Sequence, residues 1–202
     1  MIMNKYDVIV IGGGHSGCEA AHASARLGCK VALITLNKNS IGQMSCNPAV
    51  GGIGKSHLAR EIDAMDGLIC KIADMSALQR RKLNARKGPA VQATRIQTCR
   101  DTYKQKMQSA ILNNPCISVI EAMASSLIIK NNKIAGIKVN SDAKGIYAET
   151  VVLTTGTFLG GKIHIGDKSF SSGRAGDEAS NQLENFFRNE GFKIGRLKTG
   201  TP

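Results

Sequence analysis

Apolar residues in this chain cluster in short unbroken runs toward both ends, with a polar, glycine-punctuated stretch between them. Residues 6–11 (YDVIVI) form a β-branched run that predicts a strand, and it feeds directly into Gly12-Gly13-Gly14-His15-Ser16-Gly17. Residues 18–27 carry Ala20, Ala21, Ala23 and Ala25, a helix-forming composition, with Gly28 placed to cap the C-terminus. Residues 30–36 (KVALITL) predict a second buried strand, which completes a βαβ unit of the ~30 residues such a unit needs. From Ile117 the runs shorten to ISVIEA, SLIIK, IAGIKV and GIYAETVVLTTG, with Asn131-Asn132 suited to a hairpin turn. That pattern predicts a β-meander returning to a buried strand at residues 151–155, which ends in Gly156.

The glycines fit G-x-G-x-x-G in the strand–turn–helix setting that gives the motif its meaning. Gly12 suits the tight turn, Gly14 lets backbone approach a pyrophosphate, and Gly17 lets helix and strand pack closely. Gly13, His15 and Ser16 complete a loop whose helix N-terminus faces phosphate charge. A glycine turn in a non-binding α/β domain is the alternative, and the flanking strands favour dinucleotide binding over it. Where an Asp or Glu usually meets the ribose hydroxyls, the second strand ends in Thr35, Asn37 and Lys38, which weakens the case for NAD here. Glycine motif, inserted region, meander and strand-Thr-Gly together resemble an FAD domain more than a simple NAD dehydrogenase. The expected fold is α/β: an FAD/NAD(P)-binding, Rossmann-like parallel sheet with a β-meander and an inserted loop/helix region. An unrelated α/β protein with a hairpin is the competing reading.

Residues 44–56, MSCNPAVGGIGKS, carry a lone thiol beside a proline turn and a glycine loop closed by Lys55. The tail resembles an NTPase phosphate cradle, but G-x-x-x-x-G-K-[ST] ending on Ser56 requires glycine at position 49, which is Ala49. Residues 39–48 are polar and broken by Gly42 and Pro48, so no buried strand is expected to lead into the loop. Cys46 stands between two roles, reactive thiol and packed small residue, because a thiolate needs a lowered pKa.

Composition narrows the class. The 202 residues are 42% hydrophobic without a run of eighteen apolar positions, so one core and no membrane span are expected. The N-terminal strand runs into the glycine loop without a cleavage site, which points to the cytoplasm. Six cysteines, at 18, 29, 46, 70, 99 and 116, form no CxxC pair, which argues against a metal site and a disulfide scaffold and for small buried residues. Lys plus Arg number 27 against 15 Asp plus Glu, a net +12. Residues 79–106 hold nine of the bases, Arg80, Arg81, Lys82, Arg86, Lys87, Arg95, Arg100, Lys104 and Lys106, against Asp101, a local +8 that reads as a basic insert. A polyanion is the natural partner, and a solvated helix face is the alternative. Gly88-Pro89 breaks helix within the segment and favours a loop flanked by bases.

Six ordered blocks carry a resemblance: GGGHSGCEAA at 12–21, GQMSCNPAVGGIGKSHLAREIDAMDG at 42–67, LNARKGPAVQATRIQ at 83–97, GTFLGGKIHIG at 156–166, SGRAGD at 172–177 and GRLKTGTP at 195–202. The sequence resembles the N-terminal portion of the tRNA uridine 5-carboxymethylaminomethyl modification enzymes, the MnmG or GidA family. The resemblance implies an FAD enzyme reduced by NADH and acting on the wobble uridine of certain tRNAs. Carboxymethylaminomethyl or aminomethyl is added at C5, with a folate-derived one-carbon unit and ammonia or glycine. It further implies a homodimer that joins two copies of the MnmE GTPase. By position it assigns Gly12 to Gly17, Ala124 and Ser180 to FAD, and Cys46 to catalysis as nucleophile or acid. Lys55, Arg80, Arg81, Lys82, Arg86, Lys87 and Arg95 are assigned to nucleic acid, Lys55 alternatively to the flavin's own charge. Family members are much longer, so the whole chain, 1–202, is expected to be a truncated FAD-binding domain that binds FAD weakly alone. The alternatives are an inactive or split remnant that binds only RNA or a partner, and the related folate- and FAD-dependent tRNA methyltransferase.

Overall fold

The computed structural model describes residues 6–140, 144–173 and 179–198; parts of the SGRAGD and GRLKTGTP blocks lie outside the described residues. In chain order the first elements are β1 (Val8–Ile11), α1 (His15–Arg26), β2 (Val31–Thr35), β3 (Ala49–Gly51), α2 (Lys55–Ala64) and α3 (Leu68–Met75). Next come β4 (Ala77–Leu83), β5 (Ala93–Thr98), α4 (Arg100–Leu112) and β6 (Ile117–Glu121). The chain continues through β7 (Ala124–Lys130), β8 (Lys133–Val139), β9 (Lys144–Tyr147), β10 (Thr150–Leu153), β11 (Lys162–Ile165), β12 (Lys168–Ser171) and α5 (Asn181–Asn189).

The glycine-flanked βαβ unit forms as expected, with β1 and β2 parallel and Gly28 at φ +83 just past the end of α1. The main sheet is parallel, in the order β10-β1-β2-β6. Two expectations are corrected here. ISVIEA is not part of the meander: it is β6, parallel to β2, because α4 supplies the crossover that a parallel pairing requires. The returning strand is β10, and it is half-exposed, with Leu153 39% accessible, because it forms the sheet's edge. The meander proper is β7-β8-β9, turned at Asn131 and Asn132, whose φ values of +50 and +57 are those of a hairpin turn.

Strands covered on both faces must be apolar on both faces. Val10, Val31 and Leu33 face α1, α3 and α4, packing with Cys18, Ile72, Met107 and Ile111. Ile9, Ile11, Ala32 and Ile34 face the meander and α5, packing with Ile137, Val139 and Leu183. One side of α1 also fixes the corner between α2 and α3. Glu19 carboxylate oxygens accept from the amides of Leu68 and Ile69 at 3.0 and 2.5 Å, and Arg26 pairs with Asp66 at 3.0 Å.

The segment between β2 and β6 builds a second, antiparallel sheet, β3-β5-β4. A short buried strand, β3, therefore does lead into the 52–54 glycine loop, contrary to expectation. Its partner β5 supplies the order that its three residues lack. The basic insert is this sheet's hairpin and the start of α4, so residues 80–95 lie on no α-helix, with a single 3-10 turn at Pro89–Val91.

Candidate functional site

In an open parallel sheet, ligands settle beyond the C-terminal ends of the strands, where the strand order reverses. Here that point is β1, flanked by β2 on one side and β10 on the other, and a cavity of about 710 Å3 opens there. Its wall includes Gly12, Gly13, Gly14, His15 and Ser16, the end of β2 at Thr35 and Asn37, and residues 154–158 after β10. Ala124 and Ser180, 56 positions apart, meet on the same wall, where the Ser180 hydroxyl donates to the Ala124 carbonyl at 3.5 Å. Cys46 and its neighbours Met44, Ser45 and Asn47 close another side, with Lys55 beside them.

The glycine turn divides into packing and ligand positions. At Gly12, φ is +116, and an added Cβ would overlap the Thr154 carbonyl. Thr154 locks the turn, its hydroxyl donating to the Ile11 carbonyl at 2.8 Å. Gly17 is buried beneath the turn and does not line the cavity; a Cβ there would overlap the Gly12 carbonyl oxygen. Gly14 differs from both, because a Cβ built on it meets no atom within 4 Å and points to open space. It is the N-cap of α1, which has no side-chain cap, and the helix's amide-to-carbonyl pairing begins with Cys18 donating to Gly14. An uncapped, 12-residue helix whose first turn borders a cavity is a receptor for phosphate charge, and the cavity is large enough for a dinucleotide.

Electrostatics around the turn are cationic to neutral. Burial holds the His15 pKa below its ordinary value, and the Lys55 ammonium adds to the depression, so the ring is neutral at pH 7. Beneath it, burial and then Glu19 push the Cys18 thiol up to about 12, which makes it packing material. Asn37 lines the cavity while its side-chain oxygen accepts from the Asn39 amide at 2.8 Å.

Cys46 is the exposed cysteine, Cys18 the buried one, and the other four lie between, so the expectation of mostly buried thiols is corrected. The loop that presents Cys46 is held from several sides. Arg100 donates to the Cys46 carbonyl at 2.7 Å, and the Thr98 amide and hydroxyl donate to the Pro48 carbonyl at 2.8 and 3.0 Å. The Gly42 amide donates to the Gly13 carbonyl at 3.0 Å, tying this loop to the glycine turn. Arg100 is a residue that sequence reasoning counted only as charge; its anchor lies 54 positions away.

The bases assigned to nucleic acid separate into three groups. Lys55 belongs to the cavity and donates to the Ala49 carbonyl at 3.3 Å. Arg80 is held by Asp74 in an exposed pair at 3.0 Å. Arg81, Lys82, Arg86, Lys87 and Arg95 stand on the β4-β5 hairpin, away from the cavity wall. Among the described residues, no helix is long and apolar enough to cross a membrane, and no three His, Cys, Asp or Glu side chains cluster for a metal.

Comparison with known proteins places this geometry. The family model "Glucose inhibited division protein A" matches residues 7–202. The Aquifex aeolicus GidA structure, form II crystal, is 44% identical with a TM-score of 0.95, over 100% of this chain and 33% of that one. The form I crystal gives 45% identity and a TM-score of 0.94, over 98% and 33%. The GidA-related protein from Thermus thermophilus shares the fold at 20% identity and a TM-score of 0.65, over 93% of this chain and 69% of that one. The chain thus spans about a third of the length of the Aquifex protein.

Proposed function

The chain belongs to the glucose inhibited division protein A family, and from that membership and the shape of its cleft we propose that it is the flavin-binding part of an FAD-dependent tRNA-modifying enzyme. The observation that carries this reading is one cavity bordered by the glycine turn, Ala124, Ser180 and an exposed cysteine. In this reading the amides at the start of α1 and the open face of Gly14 hold the pyrophosphate, while Ala124 and Ser180 border the cofactor along the opposite wall. Bound FAD supplies the redox step, with NADH as the reductant of the whole protein.

The target is C5 of the wobble uridine in certain tRNAs. Cys46 as thiolate adds to C6 of the uracil, and the electron pair of the C5–C6 double bond moves to C5, which attacks an activated one-carbon unit. Loss of the C5 proton and expulsion of the thiolate then restore the ring and free Cys46. The Arg100 guanidinium, donating to the Cys46 carbonyl, holds the loop that presents the thiol at the cavity wall. The MnmE GTPase as partner and a homodimeric state belong to the same proposal, as does a cytoplasmic location.

The test is nucleoside mass spectrometry of tRNA treated with the whole protein carrying Cys46→Ser. Modification should vanish while flavin absorbance stays. Unchanged modification would refute the role of Cys46, and loss of flavin together with activity would move Cys46 to cofactor binding.

A further inference from the structure

The outer face of the small sheet carries an electrostatic conflict. In the antiparallel β4-β5 ladder Arg81 stands directly opposite Arg95. Opposed residues of such a pair project to the same face with Cβ atoms about 4.5–5.5 Å apart, and like charges so placed repel. Neither arginine meets a carboxylate among the described residues. Their neighbour Arg80 projects to the other face and has Asp74. On the far side of Arg95, the β3 residue in register is Gly51, at φ +107, where a Cβ would overlap the Thr94 carbonyl. The row thus reads Arg81, Arg95, glycine: two guanidinium groups with no third side chain beside them. The adjacent row on the same face is Gln79, Gln97 and Ala49, neutral amide donors ending in a residue of the cavity wall. Rows on one face are two residues apart, about 7 Å, close to the spacing of successive phosphates along a nucleic-acid strand.

We propose that Arg81 and Arg95 form a clamp for a single phosphodiester of the RNA substrate, directing the strand past Gln97 toward the cavity at Ala49. This rests on the tRNA reading above and specifies where the backbone is gripped. A phosphodiester between the two guanidinium groups cancels the repulsion, and bidentate hydrogen bonding from arginine suits its oxygens. The fold carries a pair that is unfavourable alone and satisfied by the ligand.

The experiment is fluorescence anisotropy of labelled tRNA on the 202-residue chain over a salt series, for wild type, Arg81→Gln, Arg95→Gln and the double variant, with Lys168→Gln on the distant β12 as control. Losing one phosphate contact should lower the slope of log K against log salt by about 0.7 to 0.9. Each single variant should lose most of what the double variant loses, since both side chains hold the same phosphate. Thermal midpoints at or above wild type would show that the fold is intact and the repulsion relieved. If wild type binds tRNA but the double variant keeps its affinity and slope, the clamp is wrong and the RNA reading stands. Additive single losses would put the arginines on separate phosphates and overturn the shared clamp. If wild type binds no tRNA at any ionic strength, both readings fall.

Discussion

Gly14 and Gly17 are alike in sequence and opposite in surroundings, which makes Gly→Ala at the two positions a direct test of how the cleft is built. At Gly17 alanine should gain about 1 kcal/mol of intrinsic helix propensity. The new methyl, however, overlaps the Gly12 carbonyl oxygen and lies 2.9 Å from both the Gly12 carbonyl carbon and the Thr154 hydroxyl. No rotamer relieves a clash between a Cβ and backbone, so the cost sits at or above the top of the usual 1–3 kcal/mol for overpacking. A net loss of about 2 kcal/mol or more follows, which in a domain of this size lowers the thermal midpoint by at least roughly 4–8 °C. At Gly14 the methyl meets no protein atom within 4 Å, and φ is −74, which alanine adopts freely. A weaker N-cap and a less flexible unfolded chain offset each other to within about 0.5 kcal/mol. The methyl instead occupies the side from which a pyrophosphate approaches, so FAD affinity should fall by about tenfold or more, roughly 1.4 kcal/mol. Circular-dichroism melts and a flavin-fluorescence titration read the two effects separately. A Gly17→Ala protein melting with wild type, or a Gly14→Ala protein binding FAD as wild type does, would refute this division of the turn.

Replacing Glu19 by Ala removes both carboxylate acceptors from the start of α3, whose own N-cap Gly67 offers no side chain, and should cost about 2 kcal/mol in a urea titration; an unchanged midpoint would show that the amides find other partners. The exposed Asp66 carboxyl is held below the ordinary carboxylate range, first by the hydrogen bond from Lys71 and then by Arg26. Its stabilising effect is therefore present above the unfolded carboxylate pKa and lost as pH falls through the lower folded one. Asp66→Asn should flatten that acid limb of the urea midpoint against pH, and an identical limb in the variant would assign it elsewhere. Tyr103 is fully buried and its hydroxyl has no hydrogen-bond partner among the described residues, so Tyr103→Phe should raise stability by up to about 1 kcal/mol; a loss of that size would reveal a partner for the hydroxyl.

The βαβ unit was legible because every signal for it is local: a β-branched run, a glycine count, an alanine-rich helix and a capping glycine fall within 36 residues. The meander's extent was less legible. ISVIEA and SLIIK look alike as short apolar runs, and only the placement of α4 ahead of Ile117 sends the first into the parallel sheet. β3 has three residues and no period of its own, and its order comes from β5, about 45 positions on. β4, ALQRRKL, carries charges at consecutive positions, so neither face shows alternation; cross-strand pairing makes it a strand. Ala124 and Ser180 came from resemblance rather than pattern, and the structure shows what joins them: the meander and the turn before α5 return to the same wall.

Charge was the feature sequence measured best and located worst. Counting treats the nine bases of residues 79–106 as one patch, yet in the fold they have separate tasks. Arg80 is engaged by Asp74 across the α3–β4 corner, and Arg100 braces the Cys46 carbonyl. Lys104 and Lys106 ride on α4, while Lys55, outside the counted segment, serves the cavity. A phosphate backbone lying on the hairpin therefore meets Arg81, Lys82, Arg86, Lys87 and Arg95, of which Lys82 projects to the face opposite Arg81 and Arg95. The salt dependence of RNA binding should accordingly report about three phosphates from this segment rather than nine, because Arg81 and Arg95 share one, a slope near 2 to 3. A slope near 8 would mean that the strand also crosses α4, and that the grip is spread over the segment instead of being centred on the arginine pair.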